Sequence, residues 1–324
     1  MLLEKNNWFD NFLKELYAKY PKRHDLVQAL MDLLLIEREA VYRRLRKDVI
    51  FTAHEVVKIA TSWSISLDEV ISVNSEFVTF QMRKVNFVNP SEGDSNFLRL
   101  VIQGIKRISA FPNTELMDIC NKLPRQLLAG YPYLNQFHLF KRMYKYGDES
   151  EIVPFSQVIV SDEKIRITNE YNEAIKTVSN SNFIFDRMLF DYLVSDIQYF
   201  HSIRMINDED RENIKNDLTK LLNYLFEIAN KGCYPETQKK VNLFISQLHT
   251  DTNYNYVYSP DLTLCFIHIF EKYDIYTYNA DMAKKFREWM LLKKRSSIQI
   301  SEVDVRSRIE YFERQHDLVK KAFG

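Results

Sequence analysis

Glycine is the residue whose scarcity most restricts this chain, because only six glycines occur among 324 residues. Tight turns that need a left-handed backbone, or a close approach to a ligand, usually contain glycine. Gly-rich phosphate loops and doubly wound nucleotide folds depend on such turns. The composition therefore argues against both, and it favours helices joined by short polar loops.

The first 72 residues have apolar side chains at helical spacing throughout. The predicted helices span 8–20, 26–34, 37–47 and 53–63, and a fifth starts at Ser66. Thr52 and Glu55 have the spacing of a capping box at the start of the fourth helix. Residues 1–72 are therefore predicted to form a compact all-helical domain.

The third predicted helix, residues 37–47, combines an apolar edge with a cluster of cations. Ala40, Val41 and Leu45 have the spacing that faces a core. Five cations and two carboxylates leave this segment with a local charge of +3, whereas the whole chain balances 44 cationic against 44 acidic residues. A basic amphipathic helix among short helices suits the major groove of DNA.

Residues 26–68 resemble the helix-turn-helix domain of the Cro and lambda-repressor family of bacterial transcription regulators. The segments that match the scaffold helix with its turn, the recognition helix, the fourth helix and the start of the fifth are Leu26–Ile36, Glu37–Arg46, Phe51–Val57 and Ile65–Asp68. The family usually has a small residue where Met31 stands and glycine where Leu35 stands. The remainder resembles, more loosely, uncharacterised bacterial regulators with a large C-terminal region.

The resemblance implies that the recognition helix reads base edges while other groups hold phosphates. The candidate DNA-binding residues are Arg38, Glu39, Tyr42, Arg43, Arg46 and Lys47. Arg38 is expected to contact guanine, Glu39 either to accept from cytosine or to repel phosphate, and Arg46 and Lys47 to contact phosphates. Arg44 is expected to be either a further contact or a solvated or ion-paired side chain. One such domain covers one half-site, so the chain is expected to bind double-stranded DNA as a homodimer.

The rest of the chain is predicted to be a partly extended linker, residues 73–95, and a mainly helical region, residues 96–324. The predicted helices are 95–110, 114–121, 134–146, 162–180, 183–205, 208–230, 280–294 and 302–322. Between about 240 and 278 the hydrophobic period becomes two, which predicts a small antiparallel sheet. The expected fold class is therefore mainly α, with a regulatory and dimerisation region after the five-helix domain.

Aromatic residues form 14% of the chain and cluster twice in this region. The clusters are Tyr131, Tyr133, Phe137 and Phe140, and then Tyr254, Tyr256 and Tyr258. Such side chains belong either to a core or interface, or to a pocket for a small-molecule or peptide effector.

Motifs for catalysis, cofactors and metals are missing from the sequence. The seven histidines lack ligand spacing, and no phosphate loop or nucleophile motif occurs. We expect no enzyme, no cofactor and no metal. Neither a signal-peptide pattern nor an apolar run of about 18 residues is present, so a cytoplasmic protein without membrane contact is expected. The main hypothesis is a sequence-specific DNA-binding transcription regulator, and the alternative is a protein-interaction adaptor.

Overall fold

The computed structural model of the protein describes residues 8–63, 65–72, 78–82, 90–148, 152–260, 262–270, 273–277 and 279–324. The chain divides into two compact units, Met1–Phe80 and Gln81–Gly324. Within the predicted linker, residues 73–77 and 83–89 lie outside the described residues.

The described residues of the first unit form five helices, as predicted. They are α1 Trp8–Lys19, α2 Arg23–Leu34, α3 Arg38–Leu45, α4 Ala53–Trp63 and α5 Leu67–Ser72. Phe12, Leu16, Leu26 and Ile59 are buried together in a core to which the helices contribute one face each. The capping box is formed: the Thr52 amide donates to Glu55 Oε2 at 2.8 Å, and the Glu55 amide donates to Thr52 Oγ1 at 3.3 Å.

The second unit is built on a mixed sheet. Its strands are β1 Gln81–Met82, β2 Glu115–Cys120, β3 Asn180–Asp186, β4 Lys240–Ser246, β5 Tyr254–Tyr258, β6 Thr263–Ile269, β7 Tyr273–Thr277 and β8 Ile298–Gln299. Among the described residues they form one eight-stranded sheet in the order β1-β7-β6-β5-β2-β3-β4-β8. Strands β2, β3 and β4 are parallel, and the other neighbouring pairs are antiparallel.

Helices cover both faces of this sheet. They are α6 Pro90–Ile108, α7 Pro132–Tyr146, α8 Asp162–Ile175, α9 Leu189–Ser202, α10 Asp208–Lys231, α11 Ala280–Arg295 and α12 Val305–Phe323. Leu116 and Cys120 of β2 face a large core shared with α6–α10 and α12. Met117 and Ile119 of the same strand face a smaller core under α11. Burial on both faces is typical of parallel central strands. None of the helices in the described part of the chain is long and apolar enough to cross a bilayer.

The prediction of a mainly α fold with a small antiparallel sheet is therefore wrong. Residues 115–120 form β2 instead of a helix, and residues 180–186 form β3 at the boundary between two predicted helices. Each contains only two or three consecutive apolar residues, such as Phe183–Phe185, and hydrophobic periodicity cannot assign such short stretches to a strand or a helix. The predicted strands between 240 and 278 do exist, but they form one half of the larger sheet. Helix α6 begins at Pro90, so residues 90–94 are helical where a loop was expected.

The scarcity of glycine does not prevent this α/β architecture, because other residues occupy left-handed backbone positions. The described non-glycine residues with positive φ are Leu35, Lys47, Asn113, Arg204, Gln238, Phe270 and Glu302. Each such position costs about 1 kcal/mol relative to glycine. The composition was therefore a poor guide to the fold of the second unit.

The outer edge of β4 is covered by the chain itself. Strand β8 pairs with Phe244 and Ile245. The Leu243 carbonyl accepts from the Ile300 amide at 2.9 Å, and the Leu243 amide donates to Ser301 Oγ at 3.1 Å. The Val241 amide donates to the Gly232 carbonyl at 2.8 Å. The backbone groups of this edge are thus largely satisfied within the protein.

Candidate nucleic-acid interface and a cavity in the second unit

Helices α2 and α3 are joined by a three-residue connection, residues 35–37. Leu35 has φ 56° and ψ 44°, and its amide donates to the Met31 carbonyl at 2.9 Å. Its side chain is 83% exposed, whereas Met31 packs half-buried against the core of the unit. Leu35 thus occupies the left-handed conformation that a glycine would adopt without strain.

Replacing Leu35 by glycine is expected to raise the free energy of unfolding of the first unit by about 0.5–1 kcal/mol, because the steric cost of the left-handed conformation disappears. Hydrogen exchange of the α2 and α3 amides in the full chain measures this change. The control is Ile50→Gly at an exposed position without positive φ, where the added backbone freedom should slightly destabilise the unit. Equal destabilisation by both substitutions would contradict the strain at Leu35.

Helix α3 buries one face and exposes the other. Val41 and Leu45 are buried in the core of the first unit. Arg38, Glu39 and Arg43 are exposed. Tyr42 is half-buried, and the Arg23 guanidinium lies 5.4 Å from the centre of its ring. The exposed face therefore carries the residues that the sequence assigned to base contacts.

The cations predicted to bind DNA differ in their existing partners. Arg38 and Arg43 have no ion-pair partner among the described residues. Arg46 Nη2 lies 2.7 Å from Glu39 Oε1, and its Nε lies 3.1 Å from Asp48 Oδ2. Lys47 pairs with Asp10 and lies beyond the end of α3. To contact phosphates, Arg46 and Lys47 would have to break their ion pairs with carboxylates of the protein. Arg38 and Arg43 could bind DNA without breaking an ion pair.

The structure decides between the two roles that the sequence left open for Arg44. Its Nη2 and Nε donate to the two carboxylate oxygens of Glu55 at 2.8 and 3.1 Å, and its Nη1 donates to the Ala40 carbonyl at 3.0 Å. The two side chains are only 14% and 13% exposed. Burial disfavours the Glu55 carboxylate, but hydrogen bonds from Arg44 and Thr52 hold its pKa below the usual value. Arg44 therefore ties α3 to α4 and is not presented to a ligand.

A cavity of about 530 Å³ lies in the second unit, between helices α6–α9 and the sheet face of β2, β5, β6 and β7. Phe137 of the first predicted aromatic cluster lines it. Tyr254 and Tyr256 of the second cluster instead pack under α11, beside Trp289 and Phe286. The sequence analysis left both clusters open between a core and a pocket: Phe137 lines this cavity, whereas Tyr254 and Tyr256 belong to the smaller core.

Asp118 is a charged residue of the cavity wall that sequence reasoning missed. It is fully buried on β2, where it accepts hydrogen bonds from Asn255 Nδ2 at 2.7 Å and from Gln126 Nε2. Burial raises the pKa of Asp118 to about 6, although both amide donors favour the ionised form. An acidic residue inside an apolar strand, Leu116–Cys120, was the sequence signal that could have marked it.

A buried aspartate also orients a histidine at the end of β3. Asp186 accepts from His249 Nδ1, from the Thr250 amide and from the Met188 amide, each at 2.9 Å. His249 is exposed, and no described residue forms a hydrogen bond with its Nε2. No group of three or more potential ligands is arranged to hold a metal ion within the described ranges. The pair fixes the orientation of the His249 imidazole and supports no assignment of a reaction.

Comparison of the chain with protein-family models, curated proteins and solved structures gives no match.

Proposed function

We propose that the chain is a sequence-specific DNA-binding transcription regulator that reads the major groove with helix α3. The observation that carries this proposal is the exposed face of α3, on which Arg38 and Arg43 lack ion-pair partners among the described residues. The opposite face of the helix is fixed in the core by Val41 and Leu45. Guanidinium groups on a rigid helix suit bidentate recognition of guanine.

The charge of the first unit favours specific over non-specific binding. Residues 1–72 contain 11 cationic and 11 acidic residues, so their formal charge is zero. Counterion release, which drives non-specific DNA binding, should therefore be weak. Useful affinity then requires base contacts from two copies, and we propose a homodimer that acts on DNA in the cytoplasm.

The test is selection of duplexes from a random-sequence pool by the full chain, followed by affinity measurements on the enriched sequence. The double variant Arg38→Gln/Arg43→Gln is expected to bind the selected duplex at least about 30-fold more weakly, because each lost base contact costs roughly 1–3 kcal/mol. Enriched sequences with two-fold symmetry are expected if two copies bind.

The matched control is Lys14→Gln/Lys19→Gln, which removes the same charge from exposed positions of α1. It should change the affinity by less than about threefold at moderate salt. Equal losses in the two double variants would show that α3 is not the reading helix. A pool without enrichment would overturn the DNA-binding proposal and favour the adaptor interpretation.

A further inference from the structure

The cavity of the second unit has the size and position of a ligand site. Its volume of about 530 Å³ falls within the range that holds small organic molecules. Asn121 and Lys122, which directly follow β2, contribute to its wall. In open α/β sheets, ligands commonly bind beyond the carboxyl ends of the parallel strands.

One part of the cavity wall is apolar. Val101 and Ile105 of α6 face Val257, Leu264 and Phe266 of the sheet across this space. Gly104 also lines the cavity, and a Cβ added there would have no atom within 4 Å. Open apolar space of this kind accepts a hydrocarbon or aromatic group whose burial is favourable.

The other part of the wall is rich in cations. His138, Lys141, Arg142 and Lys145 lie on one face of α7, at the spacing that aligns side chains along a helix. Together with Lys122 and Arg125, the two lysines and the arginine of α7 give five cationic residues in the wall. The wall also contains three carboxylates, those of Asp118, Asp196 and Asp274. The cavity wall therefore has a formal charge of +2 with neutral histidines.

The three carboxylates already have partners within the protein. Asp196 pairs with Lys141, Asp274 Oδ1 lies 3.0 Å from His268 Nδ1, and Asp118 accepts from two amide groups. Arg125, by contrast, is half-buried and has no ion-pair partner among the described residues. Burial and the neighbouring cations Arg142 and Arg125 lower the pKa of His138, so this imidazole is neutral and adds no charge.

Asn121 is a polar residue of the cavity wall whose side chain is held by the backbone beyond β4. Its Nδ2 donates to the carbonyls of Thr250 and Asp251 at 3.0 and 2.9 Å. Its Oδ1 is buried and accepts no hydrogen bond from any described residue.

We propose that this cavity is a binding site for a small organic anion with an apolar or aromatic body. The anionic group, a carboxylate, sulfonate or phosphate, lies on the side of Arg125 and α7. The apolar body lies between α6 and the sheet, next to Gly104. All of its lining residues belong to the second unit, so the proposal can be tested without DNA.

The test uses two fluorescent probes that differ by one sulfonate group, the anionic 1-anilinonaphthalene-8-sulfonate and the neutral N-phenyl-1-naphthylamine, titrated into the full chain without DNA. The sulfonate is expected to bind in a saturable 1:1 manner and at least fivefold more tightly than the neutral probe. Arg125→Gln should weaken sulfonate binding about fivefold or more and leave the neutral probe unchanged. Gly104→Phe should weaken both probes at least tenfold because the new ring fills the apolar part.

Two control variants match these changes. Gly104→Ala keeps the cavity open, and Lys284→Gln removes one exposed cation from α11 on the other face of the sheet. Both should bind the probes as the wild type does, and circular dichroism confirms that each variant is folded. Equal affinity for the two probes, or no saturable sulfonate binding, would overturn the proposal. Unchanged binding by a folded Gly104→Phe would also overturn it, since the probe would then lie elsewhere.

Discussion

Arg44→Met is expected to lower the free energy of unfolding of the first unit by about 2–3 kcal/mol, because it leaves the Glu55 carboxylate with little solvent and no cation. The bidentate pair joins α3 to α4, and both side chains are nearly buried. Methionine preserves much of the apolar stem but none of the three donated hydrogen bonds. Hydrogen exchange of α3 and α4 in the full chain measures the loss.

Arg43→Met is the matched control, since it replaces the adjacent, exposed arginine of the same helix. Its effect on stability should stay within about 0.5 kcal/mol. The pair also predicts a pH dependence. The pKa of Glu55 is held below its usual value of about 4.5. The stabilisation that the Arg44–Glu55 pair gives the folded unit is therefore present above pH 4.5 and is lost as the pH falls through the folded-state pKa of Glu55. If Arg44→Met costs no more than Arg43→Met, the pair does not stabilise the unit.

Asp118→Asn is expected to stabilise the second unit at neutral pH by up to about 3 kcal/mol. Burial raises the pKa of Asp118 from 3.8 to about 6, so folding favours the protonated carboxyl. The stabilisation of the folded state by the protonated Asp118 carboxyl is complete below pH 3.8, declines as the pH rises, and is lost above about pH 6. Asparagine stays neutral at every pH, and rotation of the Gln126 amide can supply an acceptor for its new donor.

The measurement is the free energy of urea unfolding at pH 4, 5, 6 and 7 for the wild type and Asp118→Asn. The difference between the two proteins should grow with pH up to about pH 6 and level off above it. Asp251→Asn, at an exposed position nearby, should show a difference of less than about 0.5 kcal/mol throughout. A constant difference for Asp118→Asn would mean that Asp118 does not titrate with a raised pKa.

The first unit could be predicted closely from its sequence because its signals are local. The Thr52–Glu55 capping box and the helical spacing of apolar residues each act within one or two turns. The role of Arg44 could not be predicted, since its partner Glu55 is 11 residues away and belongs to another helix. The sequence left Arg44 open between a further DNA contact and a solvated or ion-paired side chain, and only packing shows that it is the buried, ion-paired neighbour of the exposed Arg43.

The second unit could not be predicted in the same way, because its central strands depend on distant partners. Strand β2 pairs with β3, about 65 residues later, and with β5, more than 130 residues later. Its six residues carry no alternation, since both faces are buried. The cavity likewise combines side chains from α6 to β7, and no local pattern indicates that Arg125 and Gly104 line one space.

The covered edge of β4 limits how two copies of this chain can associate. A sheet grows across molecules only where an outer strand still offers a row of unpaired amides and carbonyls. At β4 those groups already bind β8, Ile300, Ser301 and Gly232. Strand addition directly to β4 is therefore blocked, which limits edge-to-edge aggregation through this strand. The proposed homodimer would therefore not form by strand addition to β4.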